Sequence, residues 1–132
     1  EAIKALGMGL EQYLDTPLSH LSGGQRQMVA TIMAVTSGPK LLLLDEHTSA
    51  LDPGTQRMVM TYTAKAIAEQ HLTVLMITHH LADAIHYGNR LIMLHQGQIV
   101  FDVSGNEKSN LSMNELLALF HTYEDSILLE AP

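Results

Sequence analysis

The segment Leu41-Leu42-Leu43-Leu44-Asp45-Glu46 constrains this chain more than any other. Four successive apolar residues followed by two acids are too short and too abrupt for a helix of ordinary length. They fit a strand of a parallel sheet with both faces covered. Leucine is a modest strand former, so context rather than propensity carries this assignment. The two acids then leave the strand at its C-terminal end, which is where open α/β sheets bind their ligands.

The flanking sequence supplies that context. Ile3, Leu6, Leu10 and Leu14 recur at helical spacing and predict a helix or its tail over residues 2–14. A loop around Pro17 follows. Ser22-Gly23-Gly24-Gln25 opens a second helix, with Ser22 as N-cap and Gln25 completing a capping box. Val29, Ile32, Met33 and Thr36 continue one face until Gly38-Pro39 ends it. Asp52-Pro53 starts the next helix, running to about Gln70. Thr73 to Ile77 reads as a second buried strand, and Leu81 to Tyr87 as a short helix ended by Gly88. Arg90 to His95 and Gln98 to Val103 flank Gln96-Gly97, a two-residue hairpin signal. Asn114 to Phe120 predicts another helix with Ser112 as a cap, and Thr122 to Pro132 a further turn or a tail. The alternation predicts an α/β domain: a partly parallel sheet flanked by helices, then a β-hairpin and a C-terminal helix.

Three places carry chemistry. At Leu21-Ser22-Gly23-Gly24-Gln25, two glycines leave helix-start N–H groups unobstructed, and the helix dipole adds partial positive charge, so an anion fits; an ordinary capped helix is the plainer alternative. Of the two acids, one can hold Mg²⁺ through water and the other can act as a general base toward water; a solvated acidic pair is the alternative. Thr78-His79 leaves the second strand on the edge expected for Asp45 and Glu46, where a neutral His could hydrogen-bond a phosphate or water or serve only the loop.

Taken in order, these segments resemble the ATP-binding cassette (ABC) ATPase family. Leu21 to Gln27 looks like its signature motif, and Leu41 to Glu46 like its Walker B strand. Ser49-Ala50-Leu51-Asp52 looks like its D-loop, and His79 sits where its switch histidine belongs. The resemblance covers Ser19 to Val103 and, more loosely, the rest. It implies the C-terminal part of a P-loop NTPase-like domain. Residues 1–38 would end a helical subdomain, 39–104 would carry the catalytic core motifs, and 105–132 would form a helical extension. It also implies two subunits sandwiching two ATP molecules, as a homodimer. Ser22, Gly23, Gly24 and Gln25 would face the γ-phosphate bound on the other subunit. Asp45 would help hold Mg²⁺ through water, and Glu46 would activate the attacking water. His79 would contact the γ-phosphate, and Asp52 would sit at the dimer interface. Hydrolysis would be in-line attack on the γ-phosphoryl group.

Two features depart from the family pattern. His47 stands where most members carry proline, either as a loop variation or as an extra polar group near the phosphate. No Gly-x-x-x-x-Gly-Lys-Ser/Thr segment, which cradles the β- and γ-phosphates, occurs in the 132 residues. The chain is therefore expected to be a piece of a longer ATPase and inactive by itself. The uncovered sheet is expected to favour self-association.

Composition narrows the partners. A net charge of −7 disfavours a nucleic-acid binder, and with it a non-transport ABC ATPase acting on nucleic acid or ribosomes. No apolar run approaches the roughly 20 residues of a membrane span, so membrane contact is expected only through permease subunits, at the cytoplasmic face. Cysteine is absent, which excludes disulfides and thiolate metal sites. Eight histidines without a clear His-x₃-His pair do not make a zinc site, and the methionines read as core filler. Thr78 to Val103 resembles bacterial importer subunits. Asp45 to Thr48 together with Ser104 to Lys108 is similar to a group whose permeases resemble those for branched-chain amino acids, some linked to aromatic ones. An interaction-only or regulatory ABC module is the competing expectation; intact Glu46 and His79 weigh against it.

Overall fold

The computed structural model describes residues 10–130, with side chains from 11 to 123. The helix expected over 2–14 falls largely outside them; its described end, Leu10–Tyr13, is a short 3-10 helix. A second 3-10 turn, Leu18–His20, follows Pro17. The chain divides into two compact units, Glu1–Ile77 and Thr78–Pro132, a boundary inside the segment 39–104.

In the first unit, helix α1 (Gly23–Thr36) begins as its local chemistry dictates. Ser22 Oγ accepts from Gln25 N–H at 3.1 Å, and Ser22 N–H donates to Gln25 Oε1 at 2.8 Å. Its buried face is Met28, Thr31, Ile32 and Val35. The helix closes at Ser37, and Gly38 turns the chain away at φ +62°, which its missing Cβ permits. Strand β1 (Leu41–Asp45) pairs in parallel with β2 (Thr73–Ile77), in register from Leu41↔Thr73 to Asp45↔Ile77. Helix α2 (Pro53–Gln70) connects them. Asp52 caps it, accepting from Gly54 N–H at 3.0 Å and Thr55 N–H at 3.1 Å, and His71 ends it in the left-handed region.

Both helices lie on one face of this two-stranded sheet. Val35 of α1 and Ala66 of α2 meet Leu42 and Leu44, with Val74 and Met76 packed beside them. Met28, Ile32 and Val59 form a second cluster, walled by Leu51 and Tyr62. The strand is covered on one face only, which leaves the uncovered sheet expected for these residues. Leu42 and Leu44 are 4% and 5% exposed, whereas Leu41 and Leu43 are 54% and 65% exposed. Leu75 and Ile77 continue the uncovered face on β2. Side chains alternate across a strand, and the helices that cover β1 in this unit all approach from one side.

The second unit starts with helix α3 (Leu81–His86). Strands β3 (Arg90–His95) and β4 (Gln98–Ser104) form an antiparallel hairpin. Gln96 and Gly97 both take positive φ, 48° and 76°, as a two-residue hairpin turn of the I′ kind demands. A bulge interrupts the register between Met93 and Leu94. Arg90 clamps Asp102 across the hairpin with two bonds of 2.8 and 2.6 Å. Helix α4 (Gly105–Asn110) lies in the segment expected as a helical extension, although no separate helix was assigned there. Helix α5 (Met113–Glu130) is longer than the stretch expected over Asn114 to Phe120. Ser112 caps it as expected, with Glu115 returning a carboxylate to the Ser112 N–H at 2.8 Å. Lys108, 5% exposed, donates from Nζ to the Ile85 carbonyl at 2.6 Å and the Tyr87 carbonyl at 3.0 Å, closing the end of α3.

Candidate active site around the exit of β1

The chain leaves β1 at Asp45, and both Asp45 and Glu46 are exposed there. Glu46 holds φ +43°, a left-handed conformation that costs a residue with a Cβ roughly 1–2 kcal/mol. Its surroundings impose it. The Glu46 N–H donates to the Ile77 carbonyl at 3.0 Å, extending the sheet by one bond. The Glu46 carbonyl accepts from Ser49 N–H at 2.9 Å and from Gln27 Nε2 at 3.1 Å. The turn that follows is anchored by burial of His47 (8% exposed) and Thr48 (5%). His47 thus lies inside the fold.

The start of α1 lies against this turn. A Cβ on Gly24 would stand 3.0 Å from Leu51 Cδ2 and 3.3 Å from the Ala50 carbonyl oxygen. A Cβ on Gly23 would meet nothing within 4 Å. The first-turn N–H groups of Gly23 and Gly24 have no acceptor within the helix, so the open side at Gly23 can receive an anion. The carbonyl end of the Gln25 side chain is engaged in the capping box. Gln27 spans the two elements, accepting from Ala50 N–H at 3.3 Å while donating to Glu46.

Asp52, expected at a dimer interface, caps α2. Its hydrogen bond with the Thr55 side chain, and those with the backbone of Thr55 and Gly54, hold the carboxyl below its ordinary value of 3.8. Thr78 and His79 belong to the second unit. Thr78 Oγ1 accepts from His80 N–H at 3.0 Å, the His79 and His80 rings lie 4.3 Å apart, and His79 is exposed.

Among the described residues no group of three or more His, Asp or Glu could hold a metal by itself. An exposed Asp45 and Glu46 suit instead a hydrated Mg²⁺, which takes one or two carboxylates and completes its shell from water and substrate phosphates. An open helix start and a pinned acidic strand exit thus share one turn.

The family model for ABC transporters matches residues 1–49, which hold the helix start and the acidic strand exit. A tyrosine transport ATP-binding protein of Clostridioides difficile is 48% identical over 118 residues, 89% of this chain and 47% of that protein. The chain belongs to the family of ABC transporter ATP-binding proteins. Another relative, an aliphatic sulfonates import ATP-binding protein of Agrobacterium fabrum, is 45% identical over 104 residues, 77% of this chain and 40% of that one. The dimeric structure of a bacterial ABC transporter cassette matches at a TM-score of 0.66 and 32% identity, over 78% of this chain and 45% of that chain. This ABC chain therefore spans about half the length of the curated relatives it matches. Its fold class is that of ABC cassettes, an α/β arrangement with a parallel sheet. Among its described residues no helix is long and apolar enough to cross a membrane.

One residue of the site escaped sequence reasoning. Gln27 lies inside the quoted motif, but its partners stand 19 and 23 positions away, and no local pattern announces them.

Proposed function

We propose that this ABC chain is the signature and Walker B portion of an importer ATPase, which hydrolyses ATP as a dimer beneath its permease subunits. The observation that carries this is Glu46, exposed at the strand exit with its backbone held in the left-handed region by three hydrogen bonds. Such a placement fixes the direction in which the Cα–Cβ bond of Glu46 leaves the turn. Glu46 is the base that takes a proton from the attacking water. Asp45 holds Mg²⁺ through water; when bound, the ion neutralises charge on the phosphates. Ser22, Gly23, Gly24 and Gln25 face the γ-phosphate of ATP bound on the second subunit, supported by the open N-terminus of α1. His79 contacts the γ-phosphate in the hydrolytic site, and Asp52 lies at the subunit interface while capping α2.

The relative named for sulfonate import supports import, and the one named for tyrosine transport supports an amino-acid-type solute. Membrane contact runs through the permease, at the cytoplasmic face. Hydrolysis needs a phosphate-cradling segment besides the residues named here, and residues 1–132 alone are expected not to turn ATP over.

The test is Mg²⁺-dependent ATP hydrolysis by the protein expressed from its whole reading frame, against its Glu46→Gln variant. The variant is expected to lose at least about 100-fold in kcat, the usual worth of a positioned base. Turnover at the parent's rate in Glu46→Gln would refute the assignment.

A further inference from the structure

We propose that Gln27 is a positioning residue for hydrolysis: its side-chain amide ties the backbone of Glu46 to the helix that presents the signature glycines. This rests on Glu46 being the base that activates water.

The amide of glutamine offers an acceptor and a donor on one rigid group. In this structure each is used, and each on the same turn. Oε1 accepts from Ala50 N–H at 3.3 Å, and Nε2 donates to the Glu46 carbonyl at 3.1 Å. The turn from Glu46 to Ala50 is thereby gripped at both ends from α1. Glu46 sits at φ +43°, a conformation that persists only where the surroundings over-determine it. Two of the hydrogen bonds that do so, from Ser49 N–H and to the Ile77 carbonyl, are backbone bonds that no substitution at position 27 removes. The third comes from Gln27 alone. Gly24, three residues earlier on the same helix, rests on Ala50 and Leu51 of the same turn. The anion-facing helix start and the acidic turn thus form one body, joined by a polar bridge on one side and a backbone contact on the other. Loss of the bridge leaves the Glu46 carbonyl bonded to Ser49 N–H but untied from α1, which loosens the turn and the direction in which the Glu46 side chain leaves it.

The experiment uses the protein from its whole reading frame and compares the parent with Gln27→Met and Gln27→Glu. Methionine keeps the length of the side chain and removes both polar groups. Glutamate keeps the acceptor for Ala50 and sets an oxygen against the Glu46 carbonyl. Both variants are expected to lose about tenfold in kcat, the equivalent of one or two lost neutral hydrogen bonds, with KM for ATP within about twofold of the parent, because binding and orientation separate in this way. Amide hydrogen exchange at Ala50 is expected to speed up in Gln27→Met while the interior of α1 stays protected. A parental kcat in both variants, or a KM that rises while kcat holds, would overturn the positioning role. A parent that hydrolyses no ATP would instead bring down the assignment of Glu46, and this inference with it.

Discussion

Gly24 rests against Ala50 so closely that a methyl group at position 24 would stand 3.3 Å from the Ala50 carbonyl oxygen. One residue earlier, Gly23 has open space where its Cβ would be. The two signature glycines are therefore glycine for different reasons, and alanine separates them. Gly24→Ala is expected to destabilise the protein by about 1 kcal/mol, since backbone must yield to the added methyl. Gly23→Ala is expected to leave stability unchanged or raise it by up to about 1 kcal/mol, since alanine is the better helix former, yet to lose hydrolysis because the methyl occupies the anion's approach. Urea midpoints and kcat for both variants check the pair.

Thr63 is 2% exposed in the buried face of α2, and its Oγ1 finds no hydrogen-bond partner among the described residues. Its hydroxyl is desolvated without return. Thr63→Val, which keeps the shape and removes the orphan, is expected to stabilise by about 1 kcal/mol. A lower urea midpoint in Thr63→Val would show that the hydroxyl has a partner.

Lys108 inserts its ammonium between α4 and the end of α3, and burial pushes its pKa below the ordinary 10.5. Lys108→Met relieves that desolvation but leaves the Ile85 and Tyr87 carbonyls without their donor. The second effect is the larger, and a net loss of about 1–2 kcal/mol is expected. Denaturant unfolding checks it. Faster amide exchange is expected at Tyr87, beside the lost closure.

The Arg90 hydrogen bonds hold the Asp102 carboxyl below its ordinary 3.8. A carboxylate with a depressed folded pKa lends stability above its unfolded value and loses it as pH falls through the folded one. The stability gap between parent and Arg90→Gln is therefore expected to be constant at neutral pH and to close on acidification below 3.8. The carboxyl carbon of Asp102, followed by NMR, is expected to titrate at a higher pH in Arg90→Gln.

What the sequence made legible was local chemistry. The Ser22–Gln25 box, the Asp52-Pro53 start and the Gln96-Gly97 turn stand where they were expected because each is decided by residues within a few positions. Helix α4 lay inside the expected helical extension but was not assigned as an element of its own, because Gly105-Asn106-Glu107-Lys108-Ser109-Asn110 has the composition of a loop. Its one buried residue, Lys108, is tied to carbonyls more than 20 positions away. An uncovered face of the sheet was expected, but which leucines it would show was not legible, for a related reason. A run of leucines says that a strand can be covered on both faces, and only the placement of α1 and α2 says which face is. Of the site, Asp45, Glu46 and the helix start were readable as types in sequence. The Gln27 bridge is a tertiary fact.

The leucine run leaves β1 ambiguous in a way few strands are. Sliding it one residue along β2, in either direction, would turn Leu41 and Leu43 toward the helices in place of Leu42 and Leu44. A slip ordinarily moves the apolar set into water and is penalised for it, but here leucine would replace leucine. What tells the two alignments apart is the punctuation: the slip would also carry Asp45 beneath α1 and α2, where a carboxylate has no place. The acid assigned to the metal thus also spells the reading frame of the strand. A leucine at position 45 would erase chemistry and alignment together, so a dead Asp45→Leu protein would say nothing about either; Asp45→Asn, which keeps the polar mark and removes the charge, is the substitution that tells them apart.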